Sequence, residues 1–360
     1  MPSSQRTGRG RRLLWAFARL LFVGLAVVFL SRALQWDDRF VVSRDGSELV
    51  GVELLHEGAG DAVLIDEAGT RIALTPQEAS AAQHQPGVRK TLARASYGAM
   101  AIAFVLLIIG ITANSIRWWS LLRLFGSPTG LRDCVLIVFR ALPVNLILPG
   151  SVGGDVYRAA ALARLGVPLS RATLSIVVDR LVGLWSLMVL ASVLALVDGS
   201  ETFAAWAVWA LVGCVAAPVV GFGLMALVPE RIRRIRVVEA GFAFLTELKK
   251  RPWAVIPVVG ASWVNWTMQI SALLALLAAY WSGPMGAGAA VGAGLGLVAN
   301  ALPLAPGGLG VGEAAYVWLL ARVGAPAAAV LAMSLTYRVA AYAAAGLALL
   351  LFLRSSEARA

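Results

Sequence analysis

Two acidic residues are each followed by an arginine at the same distance along the chain. Asp155 precedes Arg180 by 25 residues, and Glu313 precedes Arg338 by 25 residues. Each arginine lies twelve residues after a proline, about 18 Å along a helix and near the middle of a bilayer core about 30 Å thick. A charge at that depth costs about 2.5 kcal/mol or more unless it is paired or hydrated. We therefore expect the two arginines to pair with Asp155 and Glu313, or with the phosphate group of a ligand.

The predicted ion pairs have two interpretations. They either brace the chain as fixed pairs, or the arginines exchange a carboxylate for a phosphate, to which the guanidinium fork is well suited. Asp179 is next to Arg180, and adjacent residues of a helix do not face each other, so Asp179 is expected to pair elsewhere. Arg158, Arg164 and Arg322 lie nearer the flanks of the predicted hairpins. They either anchor the topology or form an entrance for a lipid headgroup, and the anchoring role is favoured.

Each carboxylate follows a run of glycines and prolines that begins at an asparagine, Asn145 in one case and Asn300 in the other. The second run is three residues longer, and Arg, Gly and Pro follow both carboxylates at matching distances. The matched spacing predicts two copies of one unit, residues 97–197 and 253–353. Each copy is expected to hold a spanning helix, a re-entrant hairpin and a second spanning helix, and the copies are expected to be inserted in opposite directions.

Glycine and proline are frequent in membrane helices, so close helix packing is a simpler explanation of these runs. The matched spacing instead favours an inverted repeat with interrupted helices, which is typical of transporters that bind at the membrane midplane. Glycines allow the chain to turn, and the helix N-terminus after each turn is suited to hold an anion. The candidate substrate-binding residues are Asn145, Gly153, Gly154, Asp155, Arg158, Asp179, Arg180, Asn300, Gly307, Gly308, Gly310, Glu313, Tyr337 and Arg338.

The elements that must hold these residues are membrane helices, because 59% of the 360 residues are hydrophobic. A spanning helix needs about 20 apolar residues. Segments of this kind predict spans at 13–34, 97–116, 173–197, 203–228, 253–281 and 327–353. Residues 133–166 and 287–324 contain helix breakers and are predicted to form the re-entrant hairpins. The expected fold is an all-α polytopic membrane protein with six spanning helices and two hairpins.

The basic residues set the expected orientation. Arginines before the first span place the N-terminus in the cytoplasm, and residues 1–34 are predicted to be an uncleaved signal-anchor helix. Residues 198–252 are predicted to be a linking helix and a basic cytoplasmic loop with the apolar spacing of an interfacial helix. Six spans place both termini, including the tail at 354–360, on the cytoplasmic side of the cell membrane. The second span is expected to end on that side, before Arg117, Arg123 and Arg132.

Residues 35–96 differ from the rest of the chain because they hold ten of its twenty acidic residues. Short runs such as RFVVS, AVLID and TRIAL predict strands, and the segment from Thr75 to Glu78 predicts a helix start with a capping box. We expect a small β-rich extracytoplasmic insert. An ordered spacer and a lid or docking module for an external partner both remain open as its role.

The remaining composition argues against several classes of function. The net charge of +11 is carried by short loops between apolar segments, so nucleic acid is not an expected partner. Cys134 and Cys214 lie far apart, and His56 and His84 both lie in the polar insert. No metal site, cofactor or catalytic set is therefore predicted. Tryptophans expected in the interfacial belt are Trp118, Trp119, Trp253, Trp263, Trp266 and Trp281.

Five stretches of the chain resemble the flippase-like transmembrane region of lysylphosphatidylglycerol synthases in its stand-alone form. They are RWWSLLRLFG, NLILPGSVGGDVYRAAALARLGV, VVDRLVGLW, LAPGGLGVGEAAYVWLLARVG and LTYR. The resemblance covers residues 97–353 and implies translocation of a lipid, commonly an anionic, aminoacylated or polyprenyl-linked one. No aminoacyl-transfer domain is expected after residue 353, and the insert at 35–96 departs from the common pattern. By position, the polar motif residues of the family fall on Asn145, Asp155, Arg158, Asp179, Arg180, Glu313 and Arg338.

The sequence therefore predicts a lipid translocase that moves an anionic or polyprenyl-linked phospholipid through a midplane site between two hairpins. It is not expected to be an enzyme or to synthesise lysylphosphatidylglycerol. The alternatives are a membrane enzyme acting on a lipid-linked substrate and an accessory subunit whose insert, 35–96, recruits an external partner. A homo-oligomer is compatible with all three.

Overall fold

The computed structural model describes residues 37–357, apart from 45–46, 58–60, 67, 86, 148–151, 200, 234 and 302–309. The predicted signal-anchor helix at 1–34 lies outside the described residues, and so do Gly307 and Gly308. The described chain is mainly helical, with short strands confined to residues 39–85. This confirms a helical protein with a small β-rich insert.

Two three-stranded antiparallel sheets form the insert. The strands are β1 (Arg39–Arg44), β2 (Ser47–Gly51), β3 (Glu53–Glu57), β4 (Asp61–Ile65), β5 (Arg71–Leu74) and β6 (Gln83–Gln85). One sheet has the order β2-β1-β6 and the other β3-β4-β5. Buried Val42, Leu64 and Leu74 pack together between them. The insert therefore has a small apolar core of its own.

The predicted capping box is present at the start of α1 (Pro76–Ala81). The Thr75 hydroxyl accepts the Glu78 backbone N–H at 3.3 Å, and the Glu78 carboxylate accepts the Thr75 backbone N–H at 2.7 Å. Arg44 of β1 also donates to both carboxylate oxygens of Glu78, at 2.6 and 2.9 Å. The hydrogen bonds from Arg44 and from Thr75 lower the pKa of Glu78 to about 2. The pair ties α1 to the first sheet.

The rest of the described chain is helical. The helices are α2 (Val88–Ala93), α3 (Tyr97–Leu124), α4 (Leu131–Ile147), α5 (Val152–Arg164), α6 (Leu169–Asp198), α7 (Glu201–Ala226), α8 (Glu230–Arg233), α9 (Arg236–Lys250), α10 (Val255–Tyr280), α11 (Ala287–Ala301), α12 (Val311–Leu320) and α13 (Ala327–Glu357). Single 3-10 turns precede α10 and follow α12.

Four of the described helices are long and apolar enough to cross a membrane: α3, α6, α10 with its preceding turn, and α13 as far as Ala348. They coincide with four of the predicted spans, which supports a multi-pass membrane protein. The segment predicted to span at 203–228 is the helix α7. Helix α3 continues eight residues beyond the predicted end at 116, and Arg117, the first charged residue after that point, is buried against other helices.

Each region predicted as a hairpin consists of two short helices that contact each other, α4 with α5 and α11 with α12. Helix α4 continues through Pro143 and ends at Ile147, so the proline does not interrupt it. A proline inside a membrane helix is tolerated where neighbouring groups satisfy the freed carbonyl. The interruptions lie instead between α4 and α5 and between α11 and α12.

The turns that follow the two helix pairs have the same geometry. Gly166 after α5 has a φ of 85°, and Gly324 after α12 has a φ of 84°, a region that favours glycine. In both turns the next residue donates its backbone N–H to the carbonyl of a leucine five positions earlier, at 3.1 Å. The matched spacing in the sequence therefore corresponds to matched backbone structure.

The contacts between helices follow the same two-copy pattern. Helix α3 packs against α10, α4 against α13, and α11 against α6, while α5 contacts α6 and α12 contacts α13. A side chain at Gly110 of α3 would place its Cβ 3.3 Å from the carbonyl oxygen of Asn265 in α10. Arg123 near the end of α3 lines one cavity with Ala254 and Pro257 at the start of α10. Helices α3 and α10 therefore run antiparallel.

The insert and the basic helix α9 lie at opposite ends of α3. Helix α2 lies between the strands of the insert and α3. Its Val88 packs on Ala328 and Leu331 at the start of α13. At the other end, Phe125 follows α3 and stacks on Phe244 of α9, with ring centroids 4.6 Å apart. The helix bundle therefore has an insert end and a basic end.

Candidate functional site

The first predicted ion pair is present in the structure. Arg180 of α6 donates through Nε to Oδ2 of Asp155, which lies in the first turn of α5. Asn145 of α4 accepts the backbone N–H of Gly154 at 2.7 Å and so joins the two short helices. A Cβ at position 154 would lie 2.6 Å from the side-chain oxygen of Asn145, so this approach requires a glycine.

The second predicted pair is more enclosed. Arg338 of α13 donates through Nε to Oε1 of Glu313 at 2.7 Å. The other carboxylate oxygen accepts the backbone N–H of Gly310 at 2.8 Å, and the hydroxyl of Ser334 donates to Oε1 at 3.3 Å. The Glu313 and Arg338 side chains are largely buried, whereas that of Arg180 is 43% exposed. The first pair is thus the accessible one.

Asn300 completes the match between the two units. Arg338 donates through Nη2 to its side-chain oxygen at 3.3 Å. A Cβ at Gly312 would lie 2.6 Å from that oxygen, as a Cβ at Gly154 would from the oxygen of Asn145. Both arginines are the twelfth residue of their helix, counted from Leu169 and Ala327. The two units therefore build the same asparagine, glycine, acid and arginine arrangement.

A cluster of buried charges lies beside the first pair. Asp179 of α6 accepts Nε of Arg117 at 2.8 Å and Nη2 of Arg158 at 2.9 Å, and all three side chains are buried. The guanidinium of Arg158 lies 4.0 Å from the ring centroid of Trp118, a favourable cation–π arrangement. Asp179 thus pairs away from Arg180, as predicted. The prediction that Arg158 is a flanking topology anchor is wrong, because it is packed inside the bundle.

The two clusters of the first unit form one chain of alternating charges. Arg158 lies 3.6 Å from Asp155, which connects Arg117, Asp179, Arg158, Asp155 and Arg180 in that order. With all five ionised, three positive charges face two negative ones. The exposed fraction of the side chain rises from 5% at Arg117 to 43% at Arg180. This chain therefore has one excess positive charge and an exposed end at Arg180.

The equivalent positions of the second unit hold uncharged side chains. Glu313 lies 158 positions after Asp155 in the sequence. At the same separation, Tyr316 corresponds to Arg158 and Tyr337 corresponds to Asp179. The hydroxyl of Tyr337 donates to Gln269 Oε1 at 2.9 Å and links α13 to α10. In the described part of the chain, the buried hydroxyl of Tyr316 has no hydrogen-bond partner. The two units differ in charge although they share a backbone plan.

Three polar residues of this region were missed or misassigned by the sequence analysis: Arg117, Asn114 and Gln269. Arg117 was expected on the cytoplasmic flank, but it is buried and donates to Asn114 Oδ1 at 2.6 Å. Asn114 and Gln269 are 155 positions apart, the separation that also relates Asn145 to Asn300. Comparing the two units at this separation would have matched Asn114 with Gln269, but Arg117 corresponds to Ala272 and would not have been identified.

The tryptophans also differ from the predicted interfacial belt. Trp118 is fully buried and donates through Nε1 to the hydroxyl of Ser175 at 3.3 Å. Trp266 donates to the carbonyl of Gly183 at 2.8 Å and joins α10 to α6. Trp253, just before α10, is 78% exposed, as an interfacial tryptophan would be. Only part of the predicted belt therefore faces outwards.

The remaining predicted residues lie around the breaks or at the flanks. Gly153 is buried in the first turn of α5, and Gly310, with a φ of 84°, precedes α12. Arg164 and Arg322 are exposed, and the guanidinium of Arg322 lies 3.6 Å from the ring centroid of Trp318. Their positions agree with the flanking role that was predicted for them.

The site offers binding chemistry for anions. Guanidinium groups bind phosphate oxygens through paired hydrogen bonds, as they bind carboxylates. A phosphate that reached Arg180 would therefore compete with Asp155 for the same donors. Among residues that the structure describes, no group of three or more His, Cys, Asp or Glu side chains is placed to hold a metal ion.

The comparison with known families agrees with these features. A family model described as Lysylphosphatidylglycerol synthase TM region matches residues 86–348. The matched segment begins just before α2 and includes the first unit, the second unit as far as residue 348, and the ion pairs formed by Asp155, Asp179 and Glu313. A search of curated proteins found no match. Because the family model covers well over half of the 360 residues, the chain belongs to the family of the lysylphosphatidylglycerol synthase transmembrane region.

Proposed function

We propose that this membrane protein translocates an anionic lipid, or a polyprenyl-linked phospholipid, across the cytoplasmic membrane. The observation that carries the proposal is the presence of equivalent acid–arginine pairs, Asp155–Arg180 and Glu313–Arg338, beside the breaks of two helix pairs. A lipid phosphate that replaced a carboxylate would keep each arginine paired in a medium where an unpaired charge is costly.

The location of the pairs supports a midplane site. Arg180 and Arg338 each lie about 17 Å from the start of their helix, near half the thickness of the bilayer core. At a helix break at that depth, the unpaired backbone N–H and C=O groups must be buried in protein or line a water-filled cavity. We infer that the α4–α5 and α11–α12 pairs are re-entrant and enter from opposite sides, since α3 and α10 are antiparallel. A headgroup would pass between them while its chains stay in the bilayer.

The difference in charge between the units assigns them different parts in this proposal. The first unit has an excess positive charge and a half-exposed Arg180, so it would bind the phosphate first. The second unit holds Arg338 in a balanced, buried pair with Glu313. Arg338 would accept the phosphate only when its carboxylate contact opens.

The orientation follows from the two ends of the bundle. Helix α9 and the turn after it carry Lys249, Lys250 and Arg251, and positively charged loops are retained in the cytoplasm. The acidic insert packs at the opposite end and would face the outside. We infer that both chain termini are cytoplasmic. In this proposal the protein moves its substrate without changing it and is not an enzyme.

Reconstitution into liposomes tests the proposal. The purified protein is placed in vesicles with trace amounts of headgroup-labelled phosphatidylglycerol, phosphatidylethanolamine, phosphatidylcholine or polyprenyl phosphate, and movement between leaflets is followed by accessibility of the label. The wild type should accelerate movement of an anionic lipid, and Arg180→Gln should abolish the acceleration. Arg171→Gln is the matched control, because Arg171 is exposed in the first turn of the same helix.

The other functions predict different results in the same vesicles. A membrane enzyme would convert a labelled lipid into a new product, detectable by chromatography. An accessory subunit would move no lipid on its own, and deletion of 37–85 would remove its partner while Arg180→Gln would not. Equal lipid movement by the wild type and Arg180→Gln would contradict the site assignment.

A further inference from the structure

A cavity of about 520 Å³ lies at the basic end of the bundle, separate from the buried pairs. It is formed where α3 ends, where α9 ends and where α10 begins. The residues that line it and bear on its chemistry are Trp119, Arg123, Leu124, Glu247, Arg251 and Pro257. The cavity thus combines cationic, aromatic and apolar groups from three segments.

The cavity lies at the depth of lipid headgroups. Helix α3 has 28 residues and is therefore about 42 Å long, close to the thickness of a bilayer with its headgroup regions. The cavity occupies the last turns of this helix, and exposed Trp253 lies beside it in sequence. Tryptophan is enriched at this level of a membrane. Arg123 is six residues, or about 9 Å, closer to the surface than buried Arg117.

The charges of the cavity favour an anion. The guanidinium of Arg123 lies 5.1 Å from the ring centroid of Trp119, and both residues line the cavity. Arg251 contacts Glu247 at 3.2 Å, but its side chain remains 75% exposed. Lys249 and Lys250 directly precede Arg251 and are also exposed. Two cavity arginines face one carboxylate, with further positive charge nearby.

We propose that this cavity binds the phosphodiester headgroup of an anionic phospholipid from the cytoplasmic leaflet. The phosphate lies between Arg123 and Arg251, and the acyl chains pass along the apolar side at Leu124 and Pro257 into the bilayer. Glu247 competes with the phosphate for Arg251 and therefore weakens binding. The choice of the cytoplasmic leaflet rests on the orientation proposed above, but the site is separate from the Asp155–Arg180 and Glu313–Arg338 pairs and does not require that the protein translocate lipid.

Photo-crosslinking tests this site directly. The full-length protein is placed in nanodiscs of phosphatidylcholine that contain a minor fraction of a photoreactive phosphatidylglycerol, and labelled peptides are mapped by mass spectrometry. Labelling is expected at residues 119–128 and 247–257. Because each basic residue near an anionic lipid is worth about fivefold in affinity, the Arg123→Gln/Arg251→Gln variant should reduce labelling about 25-fold at subsaturating probe.

Two further variants make the test specific. Arg132→Gln removes an exposed charge from the same end without altering the cavity lining, so labelling should persist. Glu247→Gln removes the competing carboxylate and should increase labelling. Equal labelling of the double variant and the wild type would overturn the proposal, as would equal labelling by a photoreactive phosphatidylcholine.

The source of the phosphate and the independence of the site are tested in the same assay. Inorganic phosphate at matched ionic strength should not compete with the lipid probe, since the apolar side of the cavity would contribute to lipid binding. Full competition would instead identify a site for a free anion and overturn the proposal. Arg180→Gln should label these peptides normally, so a failure of translocation would leave this inference standing.

Discussion

Tyr316 occupies in the second unit the position that Arg158 occupies in the first. The same separation of 158 residues relates the two acids and the two arginines of the ion pairs. Arg158 donates to Asp179 inside a buried cluster, whereas the hydroxyl of Tyr316 has no partner in the part of the chain that the structure describes. The second unit therefore keeps the shape of the first but lacks its buried charge chain.

Two tyrosines of the second unit differ in whether their hydroxyl groups are hydrogen-bonded in the described part of the chain, and substitution by phenylalanine should give different changes in stability. Tyr337→Phe leaves Gln269 Oε1 without its donor and should reduce the free energy of unfolding by about 1–3 kcal/mol. Tyr316→Phe should not reduce it, because the buried hydroxyl that it removes has no hydrogen-bond partner in the described part of the chain. Unfolding in one detergent, followed for both variants, measures the difference. Equal losses would contradict the hydrogen-bond assignment.

Arg117 should behave as a buried partner and not as a surface charge. Arg117→Gln leaves Asp179 with one arginine and should reduce the free energy of unfolding by about 3–5 kcal/mol. Arg123→Gln, six residues later in the same helix and exposed, should change it by less than about 0.5 kcal/mol. The same unfolding assay compares them, and a similar small change in both would show that Arg117 is not in this cluster.

The glycines before the two acids should be equally intolerant of a side chain. Gly154→Ala and Gly312→Ala each bring a Cβ within 2.6 Å of an asparagine oxygen, and such overpacking typically costs about 1–3 kcal/mol. Gly346→Ala is the control, because a Cβ there meets nothing within 4 Å. Thermal unfolding of the purified variants should show matched losses for the first two. A stable Gly154→Ala beside an unstable Gly312→Ala would contradict their equivalence.

The insert should retain its Glu78 interactions far into the acid range. The folded pKa of about 2 lies below the ordinary value of 4.5. The ionised carboxylate therefore stabilises the fold above pH 4.5, and this stabilisation decreases as the pH falls towards 2 and is absent below it. Glu78→Gln should accelerate amide exchange in residues 75–81 at pH 7.

The control for the insert is Gln77→Glu, which changes the charge of an exposed neighbour outside the capping box. Its exchange in residues 75–81 should be no faster than that of the wild type at pH 7, because a negative charge in the first turn of a helix does not destabilise it. If Glu78→Gln also exchanged like the wild type, the contacts with Arg44 and Thr75 would contribute no measurable protection.

Local patterns in the sequence were sufficient to predict much of this architecture. Alternation indicated the segments of β1 to β5, and the Thr75–Glu78 spacing indicated the capping box, because both patterns depend on neighbouring residues; β6 was not predicted. The pairs at Arg180 and Arg338 were predictable because an arginine in an apolar span needs a partner and the matched spacing supplied one.

The misassigned residues depend on packing between distant segments. The second span was predicted to end before Arg117 because hydropathy falls at the first charge. The partner of Arg117 is Asp179, 62 positions away on α6, and no local pattern indicates that contact. Trp118 was assigned to the interface for the same reason, although Ser175 and Arg158 enclose it.

The most direct test of the account is lipid movement by the uncharged double variant Asp155→Asn/Arg180→Gln. The variant removes one charge of each sign, and buried Arg158 keeps Asp179 as its partner, so the fold should be kept, as judged by the same unfolding assay. The account predicts that translocation of anionic lipid in liposomes falls by more than about tenfold, since a hydrogen bond to a charged group contributes about 1.5–3 kcal/mol. If the pair only braces the helices, the double variant will translocate at the rate of the wild type, and that result would contradict the account.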